Sequence, residues 1–223
     1  PPSGTQGDRR SERGAGVIGL LVMTDGRDTV HDAIASAGEA LTGQITYRVI
    51  HDDSGDPAHR SELADRYPGW TVIGGDRAGF GGAIQRAWRH VRDLHVQFVA
   101  HLEDDFTFTR PVDLDAMAGV LAAHPQLLQL ALRRQPWNAE ERAAGGIVEQ
   151  HPDAYDDRTD GTHHWLEHRR FWTTNPSLYR RELCERKWPD GQHSEGRFGL
   201  EQFRDPGAVS GFWGTRDSGE WVH

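Results

Sequence analysis

The chain has 223 residues, of which 36% are hydrophobic and 26% are charged. Its eight Trp and eight Phe are enough for a hydrophobic core, which excludes disorder of the whole chain. Its formal net charge of −9 excludes a general attraction to nucleic acid or anionic lipid. The single cysteine, Cys184, excludes an intrachain disulfide and a cysteine-based zinc site. The longest apolar run is far shorter than the roughly 20 residues of a membrane span. We therefore expect a cytoplasmic protein without a transmembrane segment.

Apolar, β-rich runs alternate with helical patterns after a polar, Arg-rich tail at 1–16, which we expect to be disordered. Strands that are apolar along their whole length and alternate with helices are typical of a mostly parallel sheet covered on both faces. The predicted elements are, in chain order, a strand at 17–23, a helix at 28–41, a strand at 44–50, a helix at 57–66, a strand at 70–73, a helix at 79–94, a strand at 96–102, a helix at 114–123 and a strand at 127–132.

The regular alternation stops near residue 135. Residues 136–170 are rich in Glu, Arg, His and Gly and predict a long irregular excursion. A regular pattern returns at 171–174, followed by a helix near 178–185, a helix that opens at Ser194, and an apolar segment at 208–213. No linker separates the two parts, so we predict one domain over 17–223 with an irregular second half.

Acidic side chains follow two of the predicted strands, at the edge where open α/β sheets bind ligands. Glu103, Asp104 and Asp105 end the fourth strand, and residues two apart on an extended strand share a face, so Glu103 and Asp105 can converge on one point. Hard carboxylate oxygens suit Mg²⁺ or Mn²⁺, often shared with substrate phosphates. The alternative is an ordinary acidic turn.

Two further turns allow both a ligand-binding and a structural interpretation. Asp52 and Asp53 follow the second strand and could accept hydrogen bonds from a base or a ribose, but they could equally cap the next helix. The glycines that begin at Gly79 fail the dinucleotide fingerprint, although they permit close approach of a phosphate that Arg77 could contact. The alternative for the glycines is a flexible turn.

The remaining polar and aromatic residues give weaker signals. His163, His164 and His168 lack a partner at zinc-site spacing, and we interpret them as solvated side chains. Cys184 is expected to pack in the core. The tryptophans are mostly core candidates, although three flank the irregular half and could stack against a sugar or a base: Trp137, Trp165 and Trp172.

The order of these motifs resembles the family 2 glycosyltransferases, which have the GT-A fold. Thr24-Asp25-Gly26-Arg27 is similar to the family's Thr-x-Asn-Arg-like turn, and Asp52-Asp53-Ser54-Gly55 to its Asp-Asp-Gly-Ser. Glu103-Asp104-Asp105 is similar to the Asp-x-Asp metal motif, with Glu at the first position. In the second half, Ser194-Glu195-Gly196 resembles a helix that opens on a Glu-Asp pair, with Gly196 in place of Asp.

The resemblance implies a GT-A three-layer sandwich with a mostly parallel central sheet, a nucleotide-sugar-binding half at 17–134 and an acceptor-side half at 135–223. It also implies a role for each matching residue. Glu195, or Glu201 as second choice, would be the catalytic base, and Asp105 with a late His223 would bind Mn²⁺ or Mg²⁺. The nucleotide sugar would contact Thr24, Asp52 or Asp53, Arg77, Gly79, Glu103 and Asp104.

The implied function is metal-dependent transfer of a sugar from a nucleoside-diphosphate sugar to a hydroxyl acceptor, with inversion. The acceptor is left open between a glycan, a lipid-linked sugar, a small molecule and modified DNA. One alternative is a nucleotidyltransferase on a similar fold, although that chemistry favours a basic, Gly-rich loop and a nearby lysine, and Lys187 is the only lysine. A second alternative is a non-catalytic nucleotide- or glycan-binding module.

Overall fold

The structure is a computed structural model that describes residues 16–223. The strands are β1 (Ile18–Thr24), β2 (Leu41–Thr42), β3 (Ile45–Asp52), β4 (Thr71–Gly74), β5 (Phe98–Glu103), β6 (Val112–Asp113), β7 (Leu127–Ala131), β8 (Asp156–Thr159), β9 (His164–His168), β10 (Ser177–Arg180) and β11 (Val209–Trp213). The helices are α1 (Thr29–Ala40), α2 (Pro57–Arg66), α3 (Gly79–Arg92), α4 (Leu114–Ala123), α5 (Ala139–Ala144), α6 (Ile147–Gln150) and α7 (Ser194–Gln202).

Nine of these strands form one sheet in the order β4-β3-β1-β5-β10-β7-β11-β9-β8, while β2 and β6 pair separately. Only β9 and β10 run against the other strands of the described sheet, because each pairs antiparallel with both of its neighbours. The central sheet is therefore mostly parallel, as the sequence predicts.

The sheet is covered by helices on both faces because β1 is apolar on both sides. Leu20 and Val22 pack into a core with residues of α1 and α4, whereas Leu21 and Met23 pack into a second core with residues of α3 and α7. This alternation is the period-2 pattern of a strand buried between two layers. The predicted three-layer α/β/α arrangement is confirmed.

The order of the central strands creates a crevice at one edge of the sheet. From β1 the chain adds β3 and β4 on one side and then crosses to place β5 on the other side of β1. Thr24 pairs in register with Asp52, and Met23 pairs with Glu103, so the carboxyl ends of β1, β3 and β5 are level. Open α/β sheets bind ligands at such a switch point.

The first half follows the sequence predictions, including the helix boundaries at α2 and α4. Asp56 caps α2 by accepting a hydrogen bond from the Ala58 N–H at 2.8 Å, and Pro57 occupies the first helical turn. Asp113 caps α4 through the Ala116 N–H at 3.0 Å. Aspartates at helix starts therefore explain why these two boundaries are readable.

The prediction of an irregular excursion at 136–170 is wrong. The segment contains α5, α6 and the β8–β9 hairpin, which extends the sheet beyond β11. The four residues of β8 are all exposed and polar, and β9 begins and ends with histidine, so neither strand shows an apolar alternation.

The helix predicted near 178–185 is also wrong. Residues Ser177–Arg180 form strand β10 and Arg181–Glu185 form a 3-10 helix. Leu178 and Tyr179 enter opposite cores, which requires strand geometry. The regular pattern expected at 171–174 corresponds to no strand or helix.

The predicted disordered tail, apart from Gly16, lies outside the described residues. Across residues 16–223, none of the helices combines the length and the apolar character needed to cross a membrane.

His168 differs from the predicted solvated histidines because it is buried on β9 among Tyr155, Phe171 and Phe212, with ring centroids 4.8–5.3 Å away. Burial, with the nearby Arg170 charge, lowers the pKa of His168 to about 3. The unfolded chain, with an ordinary pKa of 6.5, therefore binds one more proton than the folded chain between these values.

We predict that His168 contributes stability that is present above pH 6.5 and is lost as the pH falls toward 3. Replacing it by Phe removes this proton linkage, so the free energy of unfolding should fall less from pH 6.5 to pH 5, by about 2 kcal/mol, than in the wild type. Urea unfolding at the two pH values measures the difference. His164→Phe, at an exposed position of the same strand, is the control, and parallel pH profiles for His168→Phe and the wild type would contradict the assignment.

Candidate active site

Two open clefts meet at the carboxyl ends of β1 and β5, and Glu103 lines both. The first cleft has a volume of about 150 Å³ and the second a volume of about 480 Å³. Residues that line the first cleft include Met23, Thr24, Asp25, Arg27, Asp53, Arg77, Gly79, Phe80, Glu103 and Asp104. Residues that line the second cleft include Glu103, Asp105, Phe106, Arg134, Trp137, Ile147, Phe171, Trp172, Asn175, Glu195, Gly196 and Phe212.

A hydrogen bond between adjacent strand ends forms the floor of the first cleft. The Thr24 hydroxyl donates to Asp104 Oδ2 at 2.6 Å, and both side chains are buried. The backbone N–H of Asp104 also donates to the Met23 carbonyl at 3.0 Å. These two bonds attach the acidic triplet of β5 to the end of β1.

Arg27 brings a positive charge to this floor. Its guanidinium contacts Asp104 Oδ1 at 2.5 Å, Asp25 Oδ1 at 2.8 Å and Asp105 Oδ2 at 3.5 Å. Burial raises the pKa of Asp104, while the Thr24 hydroxyl and the Arg27 charge oppose that rise. Asp25 also contacts Arg77 at 3.4 Å, so Arg77 lies at the end of the same charged network.

Gly26 makes the position of Arg27 possible. Its φ of +98° is in the left-handed region, and a Cβ there would lie 2.7 Å from the Ser54 Cβ. The Gly26 N–H donates to the Thr24 hydroxyl at 3.1 Å, which closes the turn after β1.

The two aspartates after β3 have different surroundings. Asp53 lines the first cleft and accepts hydrogen bonds from the backbone N–H groups of Ala78 and Gly79, at 2.9 and 2.8 Å, which fixes the start of α3. Asp52 is fully buried and is satisfied by Ser54, with His59 and Arg60 nearby. Of the two alternatives, the structure brings Asp53, not Asp52, to the cleft.

Glu195 lies in the second cleft, in the first turn of α7. Its Oε1 accepts hydrogen bonds from the Thr174 backbone N–H at 2.5 Å and the Thr174 hydroxyl at 3.1 Å. No described residue donates a hydrogen bond to its other oxygen, Oε2. The carboxylate is therefore held in place from one side, beside Glu103 and Asp105.

The Glu103 side chain lines both clefts, and its pKa is unusually high for a carboxyl group. Desolvation, together with the charges of Asp105 and Glu195, raises the pKa of Glu103 to about 8. The side chain therefore holds a proton at neutral pH as long as no additional cation approaches. A divalent ion beside it would favour the ionised form instead.

Asp105 is the exposed member of the triplet, with 48% of its side chain accessible. Within residues 16–223, no three His, Cys, Asp or Glu side chains converge as a ready-made metal site. Mg²⁺-type ions usually keep several waters and bind through one or two carboxylates together with substrate phosphates. Asp105 and Glu103 at an open junction fit an ion shared with a phosphate, and they do not fit a cage made by protein alone.

His223 lies near the acidic triplet in the chain fold but not in the same cleft. Its backbone exchanges two hydrogen bonds with Thr107, at 2.8 and 2.9 Å, beside the loop that follows β5. Its ring lies 3.6 Å from Glu220, and its side chain lines a separate cleft with Arg110 and Arg133. The side chains of His223 and Asp105 therefore line different clefts.

Glu201 is exposed and does not line either cleft. It lies six residues after Glu195 on α7, and each helical residue turns the direction by about 100°, so the two carboxylates face different sides. The sequence interpretation did not select Arg27 or Thr174 as site residues. The position of Arg27 in the turn after β1 was an available signal, whereas Thr174 gave none.

Comparison with solved structures places this architecture among known folds. TarS 1–349 from S. aureus superposes with a TM-score of 0.62 at 13% identity, over 92% of this chain and 59% of that one. The mannosyltransferase PcManGT from Pyrobaculum calidifontis, in complex with GDP-Man and Mn²⁺, gives a TM-score of 0.59 at 14% identity, over 93% and 59%. CMP:2-keto-3-deoxy-manno-octonic acid synthetase, complexed with CTP, gives 0.52 at 14% identity, over 90% of both chains.

No protein-family model and no curated protein sequence matches the chain. The chain spans about three fifths of the length of the TarS and mannosyltransferase structures. At these identities the likeness concerns the fold, and the fold of this chain is GT-A-like, as the resemblance in its motifs predicts.

We predict that Thr24→Val destabilises the protein by about 2 kcal/mol, because it leaves the buried Asp104 carboxylate without its hydroxyl donor. Thr24→Ser keeps the donor and should lose much less stability. Urea unfolding of the three proteins at pH 7 measures the effect. A valine variant as stable as the wild type would contradict this role of the hydrogen bond.

Proposed function

We propose that the protein is a metal-dependent glycosyltransferase that moves a sugar from a nucleoside-diphosphate sugar to a hydroxyl acceptor, with inversion at the anomeric carbon. The observation that carries the proposal is the junction of the two clefts at Glu103 and Asp105. A sugar that passes from one bound molecule to another needs two adjoining sites, and these clefts adjoin at the acidic triplet. The GT-A-like fold supports the same activity.

The first cleft is the proposed site of the nucleotide. Arg77 is 63% exposed at its mouth and is available to a phosphate, while Gly79 permits close approach of the backbone at the start of α3. Thr24, Asp53 and Asp104 hold the cleft floor through the hydrogen bonds described above, so their contribution includes positioning the nucleotide contacts. We propose no direct nucleotide contact for Asp52, because it is fully buried.

Asp105, with Glu103 beside it, would hold Mn²⁺ or Mg²⁺ together with the donor diphosphate. When bound, such an ion neutralises the negative charge that develops on the leaving diphosphate. The mannosyltransferase in complex with GDP-Man and Mn²⁺ supports a divalent ion in this fold. Arg27 already contacts Asp105 from the first-cleft side and keeps part of the acidic charge compensated.

Glu195 is the proposed catalytic base. Its oxygen Oε2 would remove the proton from the acceptor hydroxyl as that oxygen attacks the anomeric carbon, while Thr174 orients the carboxylate through Oε1. Residues 135–223 would thus supply the acceptor side of the enzyme. The second cleft also contains the carboxyl groups of Asp105 and Glu195, which disfavours modified DNA as the acceptor because of like-charge repulsion.

A nucleotidyltransferase is the second candidate, and the likeness to the CTP-bound synthetase favours it. Lys187 does not support this reaction, because it is 78% exposed and pairs with Asp190 outside both clefts. Calorimetric titration with UDP, GDP and CDP, and separately with CTP, distinguishes the candidates. A preference for the triphosphate would favour nucleotidyl transfer, whereas a donor screen by mass spectrometry that detects no transfer would favour a binding module.

We predict that Asp105→Ala weakens Mn²⁺-dependent binding of UDP or GDP at least tenfold and leaves the metal-free affinity unchanged. The reason is that Asp105 would be the main protein ligand of the shared ion. Because its side chain is half exposed, the melting temperature should stay close to that of the wild type. Titration calorimetry with and without MnCl₂ gives the readout, and Asp65→Ala on the exposed face of α2 is the control. Unchanged Mn²⁺ dependence would remove Asp105 from the site.

We predict that Glu195→Gln lowers kcat for transfer by about 10²- to 10⁴-fold, the range typical of a lost general base, without changing nucleotide affinity. The amide can still accept the Thr174 hydrogen bonds, so the helix start should be preserved. Glu201→Gln, an exposed position on the same helix, should behave as the wild type. Transfer rates measured with the donor found in the screen decide between the two glutamates, and a full loss in Glu201→Gln alone would reverse the assignment.

A further inference from the structure

Trp137 is a large hydrophobic side chain that is exposed on the wall of the second cleft. Its side chain is 71% exposed, whereas Trp165 and Trp172 are almost fully buried. Exposing an indole costs solvation free energy, so an indole that is exposed at a cleft wall is a candidate binding surface.

Trp137 is anchored through its backbone although its indole ring is exposed. Its backbone N–H donates to Glu141 Oε2 at 2.8 Å, and the Arg134 guanidinium lies 5.6 Å from the centre of its ring. Arg134 in turn donates to Glu141 at 2.9 Å. Asn138 caps α5 immediately after Trp137 through the Glu141 N–H at 2.8 Å.

The charge state of Glu141 supports this arrangement. Burial alone would raise the pKa of Glu141, but hydrogen bonds from Arg134 and the Trp137 N–H lower it below its ordinary value. Glu141 is therefore ionised and fully engaged, and it fixes the backbone of Trp137 and the guanidinium beside the ring. An aromatic side chain on a backbone that is already fixed loses less conformational entropy when a ligand binds.

The chemistry of the cleft restricts the ligand class. The carboxyl groups of Asp105 and Glu195 line the cleft, and the charge of Arg134 is already compensated by Glu141, so the cleft does not suit an anionic ligand. Carboxylates and the Asn175 amide can hydrogen-bond hydroxyl groups. The negative face of an indole attracts the weakly positive C–H groups on one face of a sugar ring.

We propose that the second cleft binds a neutral saccharide whose ring stacks on Trp137, so that the acceptor is a glycan or the glycan part of a conjugate. The role of the saccharide as an acceptor rests on the proposed function, but saccharide binding in the second cleft does not depend on it. Trp137 is then a specificity-determining residue of the acceptor site, supplied by the irregular segment before α5 rather than by the strand ends that form the first cleft.

Saturation-transfer NMR on the intact chain tests the proposal with cellotriose, maltotriose, mannotriose, chitotriose, and the methyl and hexyl β-glucosides as probes. We expect at least one saccharide to show saturation of ring protons in the wild type. Its affinity should fall about tenfold in Trp137→Ala, and most of the affinity should remain in Trp137→Phe, which keeps an aromatic face. Leu200→Ala, which removes an equally exposed apolar side chain on α7, should bind as the wild type.

Three results would overturn the proposal: no ring-proton saturation with any probe, equal saturation in Trp137→Ala and the wild type, or saturation confined to the hexyl chain. The hexyl result would indicate an apolar ligand instead of a sugar. Calorimetry with UDP and Mn²⁺ on the same variants separates this proposal from the proposed function. Saccharide binding without any nucleotide binding would contradict the glycosyltransferase and leave the Trp137 site intact.

Discussion

The compensation of negative charge at the ends of β1 and β5 is the constraint on which the rest of the site depends. Two unit charges 4 Å apart repel by about 4 kcal/mol at the effective dielectric constant near a protein surface, so three consecutive acids need compensation. The three acidic side chains have different surroundings in the fold. Asp104 is buried against Thr24 and Arg27, Glu103 retains a proton because its pKa is about 8, and Asp105 remains accessible to water. Asp105, which only Arg27 contacts at 3.5 Å among these charged groups, is thus the acid most accessible to an added cation.

Most of the first half could be predicted from the sequence because its signals are local. The apolar run of β1 fills two cores, and Asp56 and Asp113 mark the starts of α2 and α4. The second half could not be predicted in the same way. β10 is only four residues long and depends on β5 and β7 for its pairing, while β8 is exposed along its whole length. Such strands are specified by neighbours that are distant in sequence.

The candidate site shows the same division between local and distant signals. Thr24, Asp53, Glu103 and Asp105 are recognisable because they follow buried strands, and Glu195 because it opens a helix. The sequence could not distinguish Asp52 from Asp53, since only the contacts of Asp52 with the start of α2 direct it inward. Arg27 contacts acids from two strand ends, and that convergence exists only in the folded chain. Gly196 replaces the Asp expected from the resemblance, yet a Cβ there would meet open space, so packing does not require the glycine.

The shared position of Glu103 has a consequence for the energetics of the two clefts. Two molecules that contact opposite sides of one carboxyl group are not thermodynamically independent, because each changes the hydrogen bonds and the field available to the other. Linkage requires the effect to be reciprocal: whatever factor the first occupant imposes on the affinity of the second, the second imposes on the first. Any coupling between occupants of the two clefts that passes through the β5 terminus would therefore act equally in both directions.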